Sequence, residues 1–150
     1  LDYVIDIYGP SNLYQLFGSD SMDSIMSMIK ELPTPIHQHL NLANRVFGFD
    51  PDHDSVRTKK FADRFSPVYY LSKDLPPTLL IHGLDDQVVP VEQSISLKML
   101  LDSLGIESKM HLLKNTNHAF IGANDSQKES IQNWVYEFIE KHKKEANNTN

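Results

Sequence analysis

The sequence predicts a three-layer α/β fold, in which helices cover both faces of a parallel β-sheet. The run Thr78–His82 is short and mostly apolar and stops at Gly83, as is typical of a strand that is buried on both faces. A segment with helical spacing follows it, and Ser108–Leu113 is a second strand-forming run. Strand, helix and strand in this order form a βαβ unit, which requires parallel pairing and a right-handed connection. A length of 150 residues corresponds to a single domain.

An earlier strand-forming run opens the chain. Leu1–Tyr8 is rich in β-branched and aromatic residues, and the turn signal Gly9-Pro10 ends it. Neither an initiator methionine nor a targeting signal precedes this run. We therefore expect the sequence to be a piece of a longer protein, in which an upstream signal peptide would not be visible here.

A mostly helical segment follows this first strand. Candidate helices begin at Asp20, His39 and Asp54, and Pro33 separates the first two. A crossover between parallel strands needs only about a dozen residues, whereas this connection is several times longer. We therefore expect a helical insertion or cap at about residues 14–60.

Two methionines of this insertion are candidates for substrate binding. Met22 and Met26 lie four residues apart in the first candidate helix, and methionine side chains adapt to apolar groups of varied shape. If the insertion covers the site, these side chains line an acyl pocket. The alternative is that both belong to the apolar core.

Two longer helices are predicted in the second half of the chain. Val91–Leu104 carries a broad apolar face, and Gly105 occupies the position of a left-handed C-cap residue. In the tail, Ser126 and Glu129 match the spacing of a capping box. An apolar stripe with helical spacing follows the box: Ile131, Trp134, Val135, Phe138 and Ile139.

Composition excludes several classes of function. Fourteen basic residues stand against twenty acidic ones, for a net charge of −6, and there is no basic stripe, so nucleic acid is not an expected partner. The longest uninterrupted apolar run, Val68–Leu71, is far too short for a membrane span. The absence of cysteine excludes disulfides, thiol nucleophiles and cysteine-ligated zinc, and it favours a reducing compartment such as the cytoplasm.

An acidic turn, Asp50–Asp54, begins like a calcium-binding loop. The sixth position of that loop is Ser55 instead of glycine, and the twelfth is Phe61 instead of glutamate. We therefore expect a solvated turn, with no metal site and no organic cofactor in this chain.

The candidate catalytic residues follow two neighbouring strands. Asp85 and Asp86 lie in the turn after the run that ends at His82, and His118 lies just past Ser108–Leu113. Because the carboxyl ends of parallel strands meet at one edge of a sheet, these side chains should lie close together. A carboxylate bonded to one imidazole nitrogen fixes the tautomer of a general base. Asp86 and His118 are therefore candidates for the orienting acid and the base. Asp85 is the alternative acid, and His82 is expected to bond the backbone at the strand end.

These segments resemble a known family. The stretches His82–Pro90, HGLDDQVVP, and Asn117–Phe120, NHAF, resemble the carboxyl-terminal half of an α/β-hydrolase, in the esterase and prolyl-oligopeptidase-type branch of the serine hydrolases. Asp6–Leu13 is similar to the sixth strand of that branch and its following turn. Many relatives have glycine where this chain has Asn117, and asparagine tolerates a left-handed backbone better than most residues.

The resemblance implies an α/β-hydrolase-type sheet and a serine hydrolase that acts on a small-molecule carboxylic ester, with Asp86 as the triad acid and His118 as the triad base. It also implies a nucleophilic serine upstream of Leu1, because these 150 residues contain no Gly-x-Ser-x-Gly elbow. The chain alone is therefore expected to be inactive. Alternatives are a serine peptidase of the prolyl-oligopeptidase or acylaminoacyl type and a non-catalytic binding module. The acyl specificity and the oligomeric state stay open.

Overall fold

The computed structural model of the protein describes residues 1–17, 42–49, 51 and 53–147. In these residues the order of strands and helices is β1 (Val4–Ile7), α1 (Leu13–Phe17), α2 (Leu42–Phe47), α3 (Ser55–Phe65), β2 (Thr78–Gly83), α4 (Glu92–Ser103), β3 (Ser108–Leu113) and α5 (Asp125–Asn147). Short 3-10 turns occur at Pro67–Tyr70 and His118–Phe120. No helix in this part of the chain is long and apolar enough to cross a membrane.

The three strands form one parallel sheet in the order β1-β2-β3. Val4 of β1 pairs with Thr78 of β2, which pairs in turn with Ser108 of β3. The register between β2 and β3 continues without a shift to the carboxyl ends, where Gly83 pairs with Leu113. The parallel sheet confirms the predicted α/β class, and it brings the carboxyl ends of the strands to one edge.

The core lies on both faces of β2. Successive side chains of a strand point to opposite faces, so Leu79 and Ile81 pack with Phe138 of α5, whereas Leu80 packs with Leu101 of α4. These three side chains of β2 are fully buried. Burial of one such side chain stabilises the fold by roughly 1.5–3 kcal/mol. The central strand therefore holds the two helical layers together.

The predicted strands and α4 differ from the structure only at their ends. The first strand is limited to Val4–Ile7, because its partner β2 begins at the residue paired with Val4 and leaves Leu1–Tyr3 beyond the ladder. The helix α4 ends just before Gly105. Gly105 has a φ of 73° and therefore adopts the left-handed conformation predicted for it.

The predicted cap of α5 is wrong by two residues. The helix begins at Asp125, so Ser126 lies inside its first turn. The reciprocal pair is instead Asn124 and Gln127: the Asn124 side chain accepts a hydrogen bond from the Gln127 amide at 2.9 Å, and the Gln127 side chain accepts one from the Asn124 amide at 3.0 Å. The same capping chemistry is thus performed by an Asn-x-x-Gln sequence.

Parts of the expected helical insertion are described. Asp54 caps α3, because its side chain accepts a hydrogen bond from the Arg57 amide at 2.9 Å. The candidate helix that begins at His39 overlaps α2, and its residues 39–41 lie outside the described residues. The candidate helix that begins at Asp20, including Met22 and Met26, lies outside the described residues, as do Asp50 and Asp52 of the acidic turn.

His111 of β3 stacks on Trp134 of α5. Their ring centroids lie 3.8 Å apart and the planes are parallel within 1°. The Nε2 atom of His111 is buried and has no hydrogen-bond partner among the described residues. Burial lowers the pKa of His111, the nearby Lys109 lowers it further, and Glu137 opposes the shift. The folded state therefore favours the neutral ring.

The substitution His111→Phe should stabilise the protein by about 1 kcal/mol at neutral pH, because the stacking is kept and an unpaired buried nitrogen is removed. A lowered folded-state pKa gives stability that is present above the unfolded value, about 6.5, and is lost as the pH falls below it. The advantage of the variant should therefore grow between pH 7.5 and 5.5. Urea unfolding of the variant and the wild type at both pH values measures this difference in the free energy of unfolding. An equal difference at the two pH values would contradict the lowered pKa of His111.

Candidate active site

The loops that follow β2 and β3 are in direct contact. The Leu84 amide donates to the Leu113 carbonyl at 2.8 Å, and the Asp85 amide donates to the Thr116 carbonyl at 3.0 Å. A Cβ atom on Gly83 would lie 2.2 Å from the Thr116 carbonyl oxygen. Position 83 therefore requires glycine, because any side chain there would push the two loops apart.

The carboxylate of Asp86 is fully buried where these loops meet. Its Oδ1 atom accepts hydrogen bonds from the amides of Val88 and Val89 at 2.9 and 2.8 Å. Its Oδ2 atom lies 2.9 Å from Nδ1 of His118 and 3.3 Å from Nε2 of His82. One oxygen thus fixes the turn of its own loop, and the other faces the histidine of the neighbouring loop.

The imidazole of His118 is oriented by this contact. An ionised carboxylate only accepts hydrogen bonds, so Nδ1 is the nitrogen that carries the proton. In the neutral ring, Nε2 is then an acceptor. The side chain is about 30% exposed, and Nε2 has no hydrogen-bond partner in the described ranges. A base with this tautomer and one exposed nitrogen can accept a proton from a hydroxyl group in front of it.

The other carboxylate and the strand-end histidine lack this arrangement. Asp85 is exposed, and its side chain forms no hydrogen bond or ion pair with a described residue. His82 is fully buried: Nε2 donates to the Val89 carbonyl at 2.8 Å, and Nδ1 is hydrogen-bonded with the Ser94 hydroxyl at 2.7 Å. This contact with the backbone confirms the expectation for His82. Both of its nitrogens are hydrogen-bonded, so neither is available as a base, and Nε2 also lies 3.3 Å from Oδ2 of Asp86.

Asn117 joins the two loops through its side chain, and sequence reasoning missed this contact. Its Oδ1 atom accepts hydrogen bonds from the amide of His118 at 2.6 Å and from the amide of Gln87 at 3.1 Å. Its backbone is extended, with φ −95° and ψ −173°. The explanation that asparagine is tolerated here for its left-handed backbone is therefore wrong. The side chain is used as an acceptor, which glycine could not provide.

The left-handed backbone lies in the residues around the histidine instead. Ala119 and Phe120 have φ values of 55° and 58°, and Tyr8, at the end of β1, has a φ of 45°. Such values are uncommon for residues with side chains and cluster at functional sites, where the surrounding structure holds them.

Asp6 and Ser11 lie beside a separate cavity of about 460 Å³, whose lining includes neither Asp86 nor His118. Burial raises the pKa of Asp6, while a hydrogen bond from the Gly9 amide and the nearby His82 lower it. The Ser11 hydroxyl is buried and donates to the Gln93 carbonyl at 2.8 Å, so it is not available as a nucleophile.

Asn117→Ala should loosen the contact between the two loops, because it removes the acceptor shared by the Gln87 and His118 amides. We expect amide exchange of Gln87 to rise about tenfold or more, since the loop opens locally. Asn124→Ala is the matched control: it removes the cap of α5, costs about 1 kcal/mol of stability and leaves the exchange of Gln87 unchanged. Equal exchange in the two variants would contradict this role of Asn117.

Comparison with known proteins gives a match to one family. A family model described as BD-FAE matches residues 1–101. No curated protein sequence matches the chain.

Solved structures also match the chain. A truncated carbohydrate esterase from gut microbiota is 22% identical with a TM-score of 0.59, and the match covers 91% of this chain and 42% of that one. The uncomplexed acylaminoacyl peptidase of Pyrococcus horikoshii is 23% identical with a TM-score of 0.70, over 95% of this chain and 20% of that one. An acetyl ester-xyloside bifunctional hydrolase from Caldicellulosiruptor lactoaceticus is 19% identical with a TM-score of 0.59, over 93% and 42%. The chain thus spans less than half of each structure, and at these identities the likeness concerns the fold.

Proposed function

This chain belongs to the BD-FAE family and has an α/β-hydrolase-type fold, and on that premise we propose that it supplies the acid and the base of a serine hydrolase that cleaves carboxylic esters. The observation that carries the proposal is the hydrogen bond of 2.9 Å between Asp86 and His118, which leaves Nε2 of the histidine exposed. In this arrangement Asp86 orients the ring and His118 is the general base.

The proposed reaction uses a serine that precedes Leu1 in the complete protein. His118 accepts the hydroxyl proton at Nε2 as the serine oxygen attacks the ester carbonyl, and Asp86 stabilises the imidazolium. The proton then passes to the departing alcohol as the carbon–oxygen bond breaks. Water hydrolyses the acyl-enzyme by the same route, and this chemistry requires neither a metal nor an organic cofactor.

The domain organisation is part of the proposal. We infer that the chain is the carboxyl-terminal part of one α/β-hydrolase domain and that residues 14–60 form a helical insertion or cap. The described helices α2 and α3 support the helical character of this segment. Met22 and Met26 stay candidates for an acyl pocket, and their role is a prediction.

Asp86→Asn should lower kcat for a short-chain aryl ester by about 10³–10⁴-fold in the complete protein, because the amide favours the wrong tautomer of His118. His118→Ala should have an effect at least as large. Both variants should keep the melting temperature within a few degrees. Glu129→Gln, which makes the same carboxylate-to-amide change at an exposed residue of α5, is the control and should keep full activity. Undiminished turnover in Asp86→Asn or His118→Ala would reject the assignment.

A comparison of substrates separates the proposed esterase from a peptidase with the same acid and base. We expect the complete protein to hydrolyse p-nitrophenyl acetate but to leave an N-acetylated amino-acid anilide uncleaved, because an activated ester acylates a serine in either class of enzyme, whereas cleavage of the poorer amine leaving group requires a peptidase. Turnover of the anilide above background would support the acylaminoacyl-type alternative. A fluorophosphonate labels an active nucleophilic serine, so the absence of labelling would support the third alternative, a non-catalytic binding module with this fold.

A further inference from the structure

Tyr8, the residue after β1, packs directly against the candidate base. Its ring centroid lies 4.6 Å from that of His118, and the two planes are tilted by 58°. Phe120 meets the Tyr8 ring at 5.1 Å and 76°, an edge-to-face contact. Phe120 packs in turn on the core cluster that contains Leu79 and Ile81. The tyrosine ring therefore contacts the imidazole and a residue anchored in the core.

The backbone around Tyr8 is held in an unusual conformation. A φ of 45° is rare for an aromatic residue. The Tyr8 amide donates to the Ile81 carbonyl at 2.9 Å, and the Asp6 side chain accepts from the Gly9 amide at 2.9 Å. A Cβ atom on Gly9 would lie 2.1 Å from the Asp6 carboxylate, so this turn requires glycine there. These contacts hold the strained backbone of Tyr8 in place, and in this conformation its ring faces His118.

We propose that Tyr8 is a positioning residue for His118, a role that rests on the proposed hydrolase function. The contact limits rotation of the imidazole away from Asp86. An aromatic ring also stabilises a cation that lies over its face within about 6 Å of its centroid, and the separation of 4.6 Å between the two centroids is inside that distance. Because His118 becomes cationic when it accepts the serine proton, this attraction is stronger in the transition state than in the resting enzyme.

The test compares Tyr8→Phe, which keeps the ring, with Tyr8→Leu, which removes it, in the complete protein. Tyr8→Leu should lower kcat about tenfold with KM within about twofold, because the interaction is made in the transition state. Tyr8→Phe should keep the kcat of the wild type, because the aromatic ring is retained. Tyr136→Leu, at an exposed tyrosine of α5, is the matched control and should change neither constant. If leucine does not fold in the left-handed backbone, Tyr8→Asn replaces it, because asparagine tolerates that conformation.

A second measurement does not depend on catalysis. The Nδ1 proton of His118, in its hydrogen bond to Asp86, should give a downfield proton resonance, which can be assigned by its loss in His118→Gln. Tyr8→Phe should keep this resonance sharp, and Tyr8→Leu should broaden it, because a looser imidazole exchanges the proton with water faster.

The outcomes separate the two proposals. A loss of kcat in Tyr8→Phe as large as in Tyr8→Leu would overturn the role of the ring, because the hydroxyl would then be the active group. A change confined to KM, or an unchanged resonance in Tyr8→Leu, would overturn it as well. If the wild type neither hydrolyses esters nor reacts with a fluorophosphonate, the hydrolase proposal fails, and the resonance alone decides whether Tyr8 orients His118.

Discussion

The candidate site depends on how closely the loops after β2 and β3 approach each other. The absence of a side chain at Gly83 allows the Thr116 carbonyl to lie against the end of β2. With the backbones in contact, the short side chain of Asp86 reaches His118 at 2.9 Å. A separation larger by about 1 Å would break a hydrogen bond of this length. The chemistry proposed for the protein therefore rests on a steric feature of its backbone.

Two buried polar residues at the start of α4 hold the chain segments that surround the site. Gln93 accepts hydrogen bonds from the amides of Ser11 and Asn12 at 3.1 and 2.8 Å, and Ser94 bonds His82 at 2.7 Å. A buried polar group without a partner costs about 1–3 kcal/mol, so these bonds select one arrangement of the segments. The helix thereby aligns the turn after β1, which carries Tyr8, with the end of β2.

The central part of the fold could be predicted because its signals are local. The glycines, the prolines and the spacing of apolar residues marked β2, α4 and β3, and the parallel order brought the loops of Asp86 and His118 to one edge. The contacts of Asn117 and Tyr8 could not be predicted, because they join residues far apart in sequence and leave no periodic pattern. The cap of α5 was misplaced for another reason: Asn-x-x-Gln and Ser-x-x-Glu offer the same hydrogen bonds two residues apart, and the pattern alone does not choose between them.

The pairing of β2 with β3 has a consequence for how such a protein can change. Asp86 and His118 both belong to the single βαβ unit that runs from Thr78 to Phe120, and the long connection between β1 and β2 lies outside it. Insertions, deletions or exchange within that connection leave unchanged the strand pairing that sets the 2.9 Å contact between Asp86 and His118. In the proposed hydrolase, the connection and the proton-transferring pair can therefore evolve separately, and a designer can change the connection without rebuilding the pair.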